Sequence, residues 1–188
     1  MPEQLPLPPS PRTPWDSLPT PLRRVLELGL NALDDYEFEQ FVAEAFRVMG
    51  YEVKTTPRGA DEGVDIFLTG KDLPGLCVVQ CKHWKQAVGV VEIREFYGVM
   101  AHFKAVSGLY VCSTGVTEAA KKFLKGKAIS LLRPTELAGE IVERIAILKA
   151  PELVLKYKAR NSPKPEQVEP KEISATKTES RIIIPNSW

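Results

Sequence analysis

Two neighbouring segments decide the fold: Asp61-Glu62-Gly63-Val64-Asp65, which leads into an apolar run, and Leu76-Cys77-Val78-Val79-Gln80-Cys81-Lys82-His83-Trp84. The second segment is predicted to be a strand, in which side chains alternate between the two faces of a sheet. Gln80 and Lys82 then share one face, and burying both in an apolar strand is costly unless they have partners. If the two segments pair as a hairpin, Asp65 lies beside Gln80. The pattern therefore predicts that a carboxylate, an amide and an ammonium converge at one end of a sheet.

The segments around this hairpin alternate between helical and strand patterns. Apolar residues recur every three or four positions in an amphipathic helix and every second position in a half-buried strand. This periodicity predicts helices at 35–49, 90–104, 116–127 and 135–148, and strands at 51–55, 64–69, 76–84, 109–113 and 129–132. The order αβββαβαβα predicts an α/β domain with a mixed central sheet flanked by helices. The run 109–113 is apolar without alternation, which is typical of a central strand covered on both faces.

The two ends of the chain differ in composition from the middle. Residues 1–21 are rich in proline, which removes backbone donors and fixes φ, so we predict a disordered N-terminal segment. Residues 22–33 are predicted to form a short helix that braces the domain at 34–153. Residues 159–188 are polar and mixed in charge, and we predict a flexible tail.

The composition is that of an ordinary globular protein. Of the 188 residues, 44% are hydrophobic, and the formal net charge is +1, so binding of a polyanion must depend on a local patch. Three cysteines without a CxxC pair indicate a reducing compartment. No apolar run reaches the roughly 18 residues needed to span a bilayer, and no signal peptide is recognisable. We therefore predict a cytoplasmic protein with no membrane partner.

The trio of Asp65, Gln80 and Lys82 suits the hydrolysis of phosphodiester bonds. Carboxylate and amide oxygens are hard ligands for Mg²⁺, and Mn²⁺ accepts the same ligand types. The metal polarises the phosphate, and the lysine orients the attacking water or offsets charge on the phosphate oxygens. The structural alternative for the same three residues is an internal salt bridge at the edge of the sheet.

A fourth candidate is Glu39, on the helix predicted at 35–49. At 3.6 residues per turn it lies roughly 80° from the centre of the apolar face of this helix, beside Phe46. It is therefore the carboxylate of this helix best placed to face the sheet, where it would support the metal. The alternative is a solvated glutamate on the flank of the helix.

Four strings occur in the order expected of the Mrr-type restriction endonuclease catalytic domain, which the chain resembles. They are Tyr36-Glu37-Phe38-Glu39-Gln40-Phe41-Val42, Gly63-Val64-Asp65, Gln80-Cys81-Lys82 and Ser113-Thr114-Gly115-Val116-Thr117. This family is a branch of the PD-(D/E)xK nucleases in which Gln replaces the acidic residue before Lys, and the resemblance covers residues 33–145. It implies a restriction-endonuclease-like fold, active-site acids at Glu39 and Asp65, a metal-site residue at Gln80 and a catalytic lysine at Lys82.

The chain departs from the family pattern in two places. Glu62 stands where the family more usually has glycine, which adds negative charge to the turn before Asp65. Mrr-type proteins often carry a separate DNA-recognition domain, which the first 33 residues cannot form. We therefore expect DNA and a separate recognition subunit or domain as partners, and a homodimer would supply the two active sites needed to cut both strands.

Five further residues near the trio are candidates for contact with DNA. His83 and Lys85 continue the active strand, and Arg58 lies on the loop before the second strand. Thr114 and Thr117 precede a predicted helix whose free N–H groups suit a phosphate. Each has a structural alternative: a plain strand edge for His83 and Lys85, a solvated loop arginine at Arg58, and N-capping for the threonines.

The sequence thus predicts a Mg²⁺-dependent endodeoxyribonuclease of restriction type, with cleavage of modified DNA as one form. Two alternatives stay open: a DNA-binding or scaffold module without cleavage, and a junction-resolving or repair nuclease on the same fold. The intact Lys82 favours an enzyme, because an inactive site has no reason to keep a buried lysine.

Overall fold

The computed structural model describes residues 18–57, 59, 63–148, 155 and 159–160. Within these ranges the chain forms five α-helices and five strands. They are α1 (Thr20–Leu28), α2 (Asp35–Val48), β1 (Glu52–Thr55), β2 (Ile66–Thr69), β3 (Cys77–Lys82), α3 (Val90–His102), β4 (Ser107–Cys112), α4 (Glu118–Leu124), β5 (Ile129–Leu132) and α5 (Pro134–Leu148). From α2 onwards this is the predicted αβββαβαβα order, and the predicted fold class is confirmed.

The strands form one mixed sheet in the order β1-β2-β3-β4-β5. The pairs β1–β2 and β2–β3 are antiparallel, whereas β3–β4 and β4–β5 are parallel and are linked through α3 and α4. Every residue of β4 is buried between its neighbours, as the apolar run without alternation predicts. At Gly108 the sheet and α3 approach so closely that a Cβ would lie 2.5 Å from the Met100 sulfur.

Alternation along β3 divides the core into two apolar clusters. Cys77, Val79 and Cys81 belong to the cluster that packs against α1, α2 and α5. Val78 belongs to the cluster on the other face, which packs against α3 and α4. Gln80 and Lys82 follow Val78 on this second face, so the α3 side of the sheet turns polar towards the carboxyl end of β3.

The brace helix differs in extent from the predicted 22–33. It begins at Thr20, within the segment predicted to be disordered, because Pro21 fits the first turn of a helix. It ends at Leu28, since Gly29 takes a φ of 88°, and a single 3₁₀ turn follows at Leu30–Ala32. Three of its apolar side chains are buried in the cluster around α2: Leu22, Val25 and Leu26.

Parts of the predicted terminal segments, residues 1–17 and 161–188, lie outside the described residues. The helices that are described include none long and apolar enough to cross a membrane.

Candidate active site

The Asp65 carboxylate joins β2 to β3 near the carboxyl end of β3. Ile66 pairs with Val79 in the antiparallel ladder, which places Asp65 opposite Gln80. Asp65 Oδ2 accepts a hydrogen bond of 2.8 Å from Gln80 Nε2 and one of 2.6 Å from the backbone N–H of Cys81. The structure therefore brings the predicted carboxylate and amide into direct contact.

Two oxygens of this pair face away from the contact. The amide N–H of Gln80 donates to the Asp65 carboxylate, so the amide oxygen of Gln80, Oε1, is oriented away from that carboxylate. Within the described part of the chain, neither Gln80 Oε1 nor Asp65 Oδ1 takes part in a hydrogen bond. Burial raises the pKa of Asp65, and the Cys81 N–H and the Lys82 charge offset part of that rise. The pair thus presents two hard oxygen donors in a partly desolvated position.

The Lys82 side chain is half-buried on the same face as Gln80. Its ammonium lies 5.2 Å from the centre of the Trp84 ring, and the ring is 40% exposed. Among the residues that the structure describes, Lys82 forms no salt bridge, so the internal pair with Asp65 considered as an alternative is not formed. The ammonium is positioned by the indole and is not paired with any described carboxylate.

Glu39 approaches the same strand from the opposite side. A capping box starts α2: Glu37 N donates to Asp34 Oδ1 at 2.7 Å, and Asp34 N donates to Glu37 Oε2 at 3.1 Å. Glu39 is half-buried on the next turn. Burial raises the pKa of the Cys81 thiol, and the charges of Asp65 and Glu39 raise it further. Glu39 and Asp65 are therefore both close enough to Cys81 for their charges to act on its thiol.

The predicted DNA contacts on and before the strands fall into different environments. Arg58 lies outside the described residues. The His83 ring stacks on Phe38, with centroids 4.7 Å apart, and its Nδ1 lies 2.8 Å from Ser113 Oγ. Lys85 is exposed. His83 thus packs as part of the strand edge, and Lys85 is accessible to a partner.

The hydroxyls of the two predicted threonines are engaged within the fold. Thr117 caps α4 by accepting from Ala120 N at 3.3 Å. Thr114 Oγ1 donates to the Gln86 carbonyl at 2.6 Å, which ties the start of the α4 connection to the loop after β3. N-capping accounts for Thr117, and a role in DNA binding stays a prediction for both.

A cavity of about 210 Å³ lies between the polar end of β3 and α3. Gln80 and Lys82 line one wall, and Glu92 and Glu95 of α3 line the other, with Tyr110 of β4 between them. The sequence reasoning missed these three residues. For the two glutamates, the helical pattern held an indication: residues three apart lie on the same side of a helix, so Glu92 and Glu95 both lie beside the apolar stripe of α3 that faces the sheet.

The cysteines lie outside this chemistry. Cys77, Cys81 and Cys112 are free and buried. Burial raises the pKa of Cys77 to about 11, and the pKa values of the other two thiols are raised by burial as well. All three stay protonated at neutral pH, so they are neither nucleophiles nor thiolate ligands.

Comparison with known proteins connects the chain to nucleases. The profile of the Mrr catalytic domain, described as "Restriction endonuclease", matches residues 30–141. The type IV methyl-directed restriction enzyme EcoKMrr of Escherichia coli (strain K12) is 28% identical over 133 residues, which cover 64% of this chain and 43% of that enzyme. The uncharacterized protein y4cE of Sinorhizobium fredii is 32% identical over 106 residues, covering 53% of this chain and 27% of that protein. The chain thus spans less than half the length of these relatives.

Solved structures show a distant likeness. The DNA modification-dependent restriction endonuclease AspBHI has a TM-score of 0.47 and 19% identity, covering 80% of this chain and 40% of that one. The protein of unknown function AF1548 has a TM-score of 0.44 and 17% identity, covering 64% and 65%.

Proposed function

The chain belongs to the Mrr catalytic-domain family of restriction endonucleases, and from that premise we propose that it is a Mg²⁺-dependent nuclease that hydrolyses phosphodiester bonds in DNA. The observation that carries the proposal is the contact of Asp65 with Gln80 on the sheet face that also holds Lys82. These are the carboxylate, amide and ammonium that the sequence pattern predicts for this chemistry.

The donor set fits a hard divalent cation. Asp65 and Gln80 offer carboxylate and amide oxygens, whereas the nearest thiol, Cys81, has a raised pKa and stays protonated. The described residues include no group of three or more His, Cys, Asp or Glu side chains placed to hold a metal. Mg²⁺ tolerates this, because it keeps several waters and takes few protein ligands. Asp65 and Gln80 would hold the cation, and Mn²⁺ is expected to replace it.

Lys82 and Glu39 have separate roles beside the cation. When bound, the cation supplies the charge that polarises the scissile phosphate and eases attack by water. Lys82 orients that water or offsets charge on the phosphate oxygens, since its ammonium is held over Trp84 without an ion pair to a described residue. Glu39, on α2, would support the cation, since its charge already acts on Cys81 near the end of β3.

Substrate selection belongs to a larger assembly in this proposal. EcoKMrr is methyl-directed by name, and the chain spans 43% of its length. We infer that this chain is the cutting domain of a restriction-type enzyme, with modified DNA as a substrate form and recognition supplied by a further domain or subunit. Arg58 and Lys85 are the proposed contacts with the DNA backbone, and a dimer would place one active site on each strand.

Cleavage of supercoiled plasmid, methylated and unmethylated, tests the proposal. The native chain is expected to nick DNA with Mg²⁺ or Mn²⁺ and to be silent in EDTA. Lys82→Met keeps the apolar stem over Trp84 and removes the charge, so nicking should fall by about 10²–10⁴-fold. Lys71→Met, in the exposed turn at the far end of the β2–β3 hairpin, is the control expected to retain activity.

Two results would overturn the proposal. One is a native chain that cuts no DNA form, including branched DNA, with either metal, which would favour the scaffold alternative. The other is nicking that survives Lys82→Met at the level of the Lys71→Met control.

A further inference from the structure

Tyr110 lines the cavity beside β3. Tyr110 pairs with Gln80 in the parallel register, so both side chains leave the sheet on the same face. The Tyr110 side chain is only 1% exposed, and its ring is fixed edge-on against Phe96 at 5.4 Å. Its hydroxyl makes no hydrogen bond to any described residue, and the residue borders the cavity. A hydroxyl that borders a cavity and has no described protein partner can bond a ligand or an ordered water there.

Two acidic residues of α3, Glu92 and Glu95, line the same cavity. Glu92 is half-buried, and its Oε2 lies 2.8 Å from where a Cβ on Gly89 would stand, so it folds over the first turn of the helix. Glu95, which is exposed, lines the cavity one turn further on. Within the described residues neither forms an ion pair, even though the Lys82 ammonium lines the same cavity. The cavity is therefore lined by two acidic residues and a lysine that do not form an ion pair with one another.

These carboxylates act on the same hydroxyl as the predicted metal ligand. Burial raises the pKa of Tyr110, as do the charges of Cys112, Glu92, Asp65 and Glu95. The lining of the cavity agrees with this, since Gln80, Tyr110 and the two glutamates of α3 all border it.

The charge balance explains why the α3 wall matters. Gln80 is neutral, so the charge of Asp65 is offset by Lys82, and the strand residues alone offer a divalent cation no net negative charge. Glu92 and Glu95 reverse this, since they add two carboxylates to the cavity that Gln80 and Lys82 line. Cation affinity depends on the charge of the ligand set as well as on its geometry.

We propose that Glu92 and Glu95 of α3, together with the Tyr110 hydroxyl, hold the water shell of the divalent cation bound beside Asp65 and Gln80. This rests on the proposed nuclease function and assigns that site a second wall. Contact through water follows from the geometry, because the described acidic side chains do not converge closely enough to form a direct cage. The cavity of about 210 Å³ accommodates a cation with several waters, each of which occupies about 30 Å³ in the liquid.

Binding of Mn²⁺ to the full chain without DNA, measured by calorimetry at neutral pH, tests the inference. Removing groups that hydrogen-bond a metal's ligands typically weakens binding by about 10–100-fold. The double variant Glu92→Gln/Glu95→Gln should therefore raise the Kd for Mn²⁺ at least about tenfold, and Tyr110→Phe about threefold. The control Glu118→Gln removes a first-turn carboxylate from α4 that is 87% exposed, and should leave the Kd unchanged.

The outcomes separate this inference from the proposed function. A Kd for the double variant within twofold of the native value overturns the inference. This holds even if the thermal unfolding midpoint of the variant is lower, because a lower midpoint with an unchanged Kd means that Glu92 only stabilises the start of α3. Native chain that binds no Mn²⁺ overturns it as well. Plasmid nicking by the native chain decides the nuclease function independently. If the double variant fails to fold, Glu92→Gln and Glu95→Gln measured singly, each expected to raise the Kd about threefold or more, decide in its place.

Discussion

The two faces of β3 bury different chemistry at the same end of one strand. On the α2 side, Cys77, Val79 and Cys81 form an unbroken apolar row inside a closed cluster. On the α3 side, Val78 is followed by Gln80 and Lys82, which border a cavity. A single strand thus contributes to folding on one face and to a polar site on the other.

The difference means that stability and chemistry are separable by position along β3. Apolar burial on the α2 side stabilises the fold by about 25 cal/mol for each Å² removed from water. On the α3 side, the partly buried Asp65 charge lowers stability, because desolvation raises its pKa in the folded chain. Substitutions on the two faces should therefore move unfolding and cleavage independently.

The largest effect is expected for Asp65→Asn, which should abolish nicking while stabilising the metal-free fold. The asparagine oxygen retains the hydrogen bond from Cys81 N, but the charge that holds the cation is lost, and cleavage should fall by at least about 10³-fold. At neutral pH the variant should gain about 0.5–2 kcal/mol in the free energy of unfolding.

The gain in stability of Asp65→Asn should depend on pH. The pKa of Asp65 in the folded chain lies above its ordinary value of 3.8. At a pH above the folded pKa, the ionised carboxylate therefore lowers the free energy of unfolding. This penalty is relieved as the pH falls from the folded pKa towards the ordinary value. The gain measured by urea unfolding should thus be full at pH 7 and vanish below about pH 3.8. A variant less stable than the native chain at pH 7 would show that Asp65 serves the fold, and the separation of faces would fail.

A second test, Gln80→Glu, adds charge to the polar face and sharpens its role. The new carboxylate lies against the Asp65 oxygen that now accepts from the amide, so two like charges compete for one proton. The metal-free variant should lose about 2–3 kcal/mol at pH 7 and recover as the pH falls through the raised pKa of the pair. Millimolar Mn²⁺ should restore the thermal midpoint more strongly than in the native chain. No pH dependence beyond that of the native chain would contradict the contact.

The apolar face is probed by Val79→Ala. Val79 is fully buried, and losing two methyl-sized groups from a packed core should cost about 2 kcal/mol of unfolding free energy. Nicking per folded molecule should stay within twofold of native, measured well below the unfolding midpoint. A larger loss of activity would mean that packing on the α2 side sets the geometry of the site.

The two faces of β3 also differ in how much of them the sequence predicts. Alternation predicted the faces of Val79 and Gln80 correctly, because it follows from strand geometry alone. The contact of Asp65 with Gln80 followed from adjacent strands in one hairpin. The sequence did not predict that Glu92 and Glu95 line the cavity beside Tyr110. Both lie on α3, the helix that connects the parallel strands β3 and β4, and the position of such a helix over the sheet depends on tertiary packing. The end of α1 was misplaced for a local reason, the positive φ of Gly29.

The smallest effect expected is that of Glu39→Gln, which compares the two flanking helices directly. Glu39 acts on the end of β3 from the Cys81 side, whereas Glu92 and Glu95 line the cavity. We expect nicking to fall about tenfold and the Kd for Mn²⁺ to rise less than in Glu92→Gln/Glu95→Gln. Glu44→Gln is the matched control on α2, since Glu44 pairs at 2.5 Å with Arg47. If Glu39→Gln weakens Mn²⁺ binding more than the α3 double variant, then α2 supplies the second carboxylate, and the polar site extends around the end of β3 to both faces.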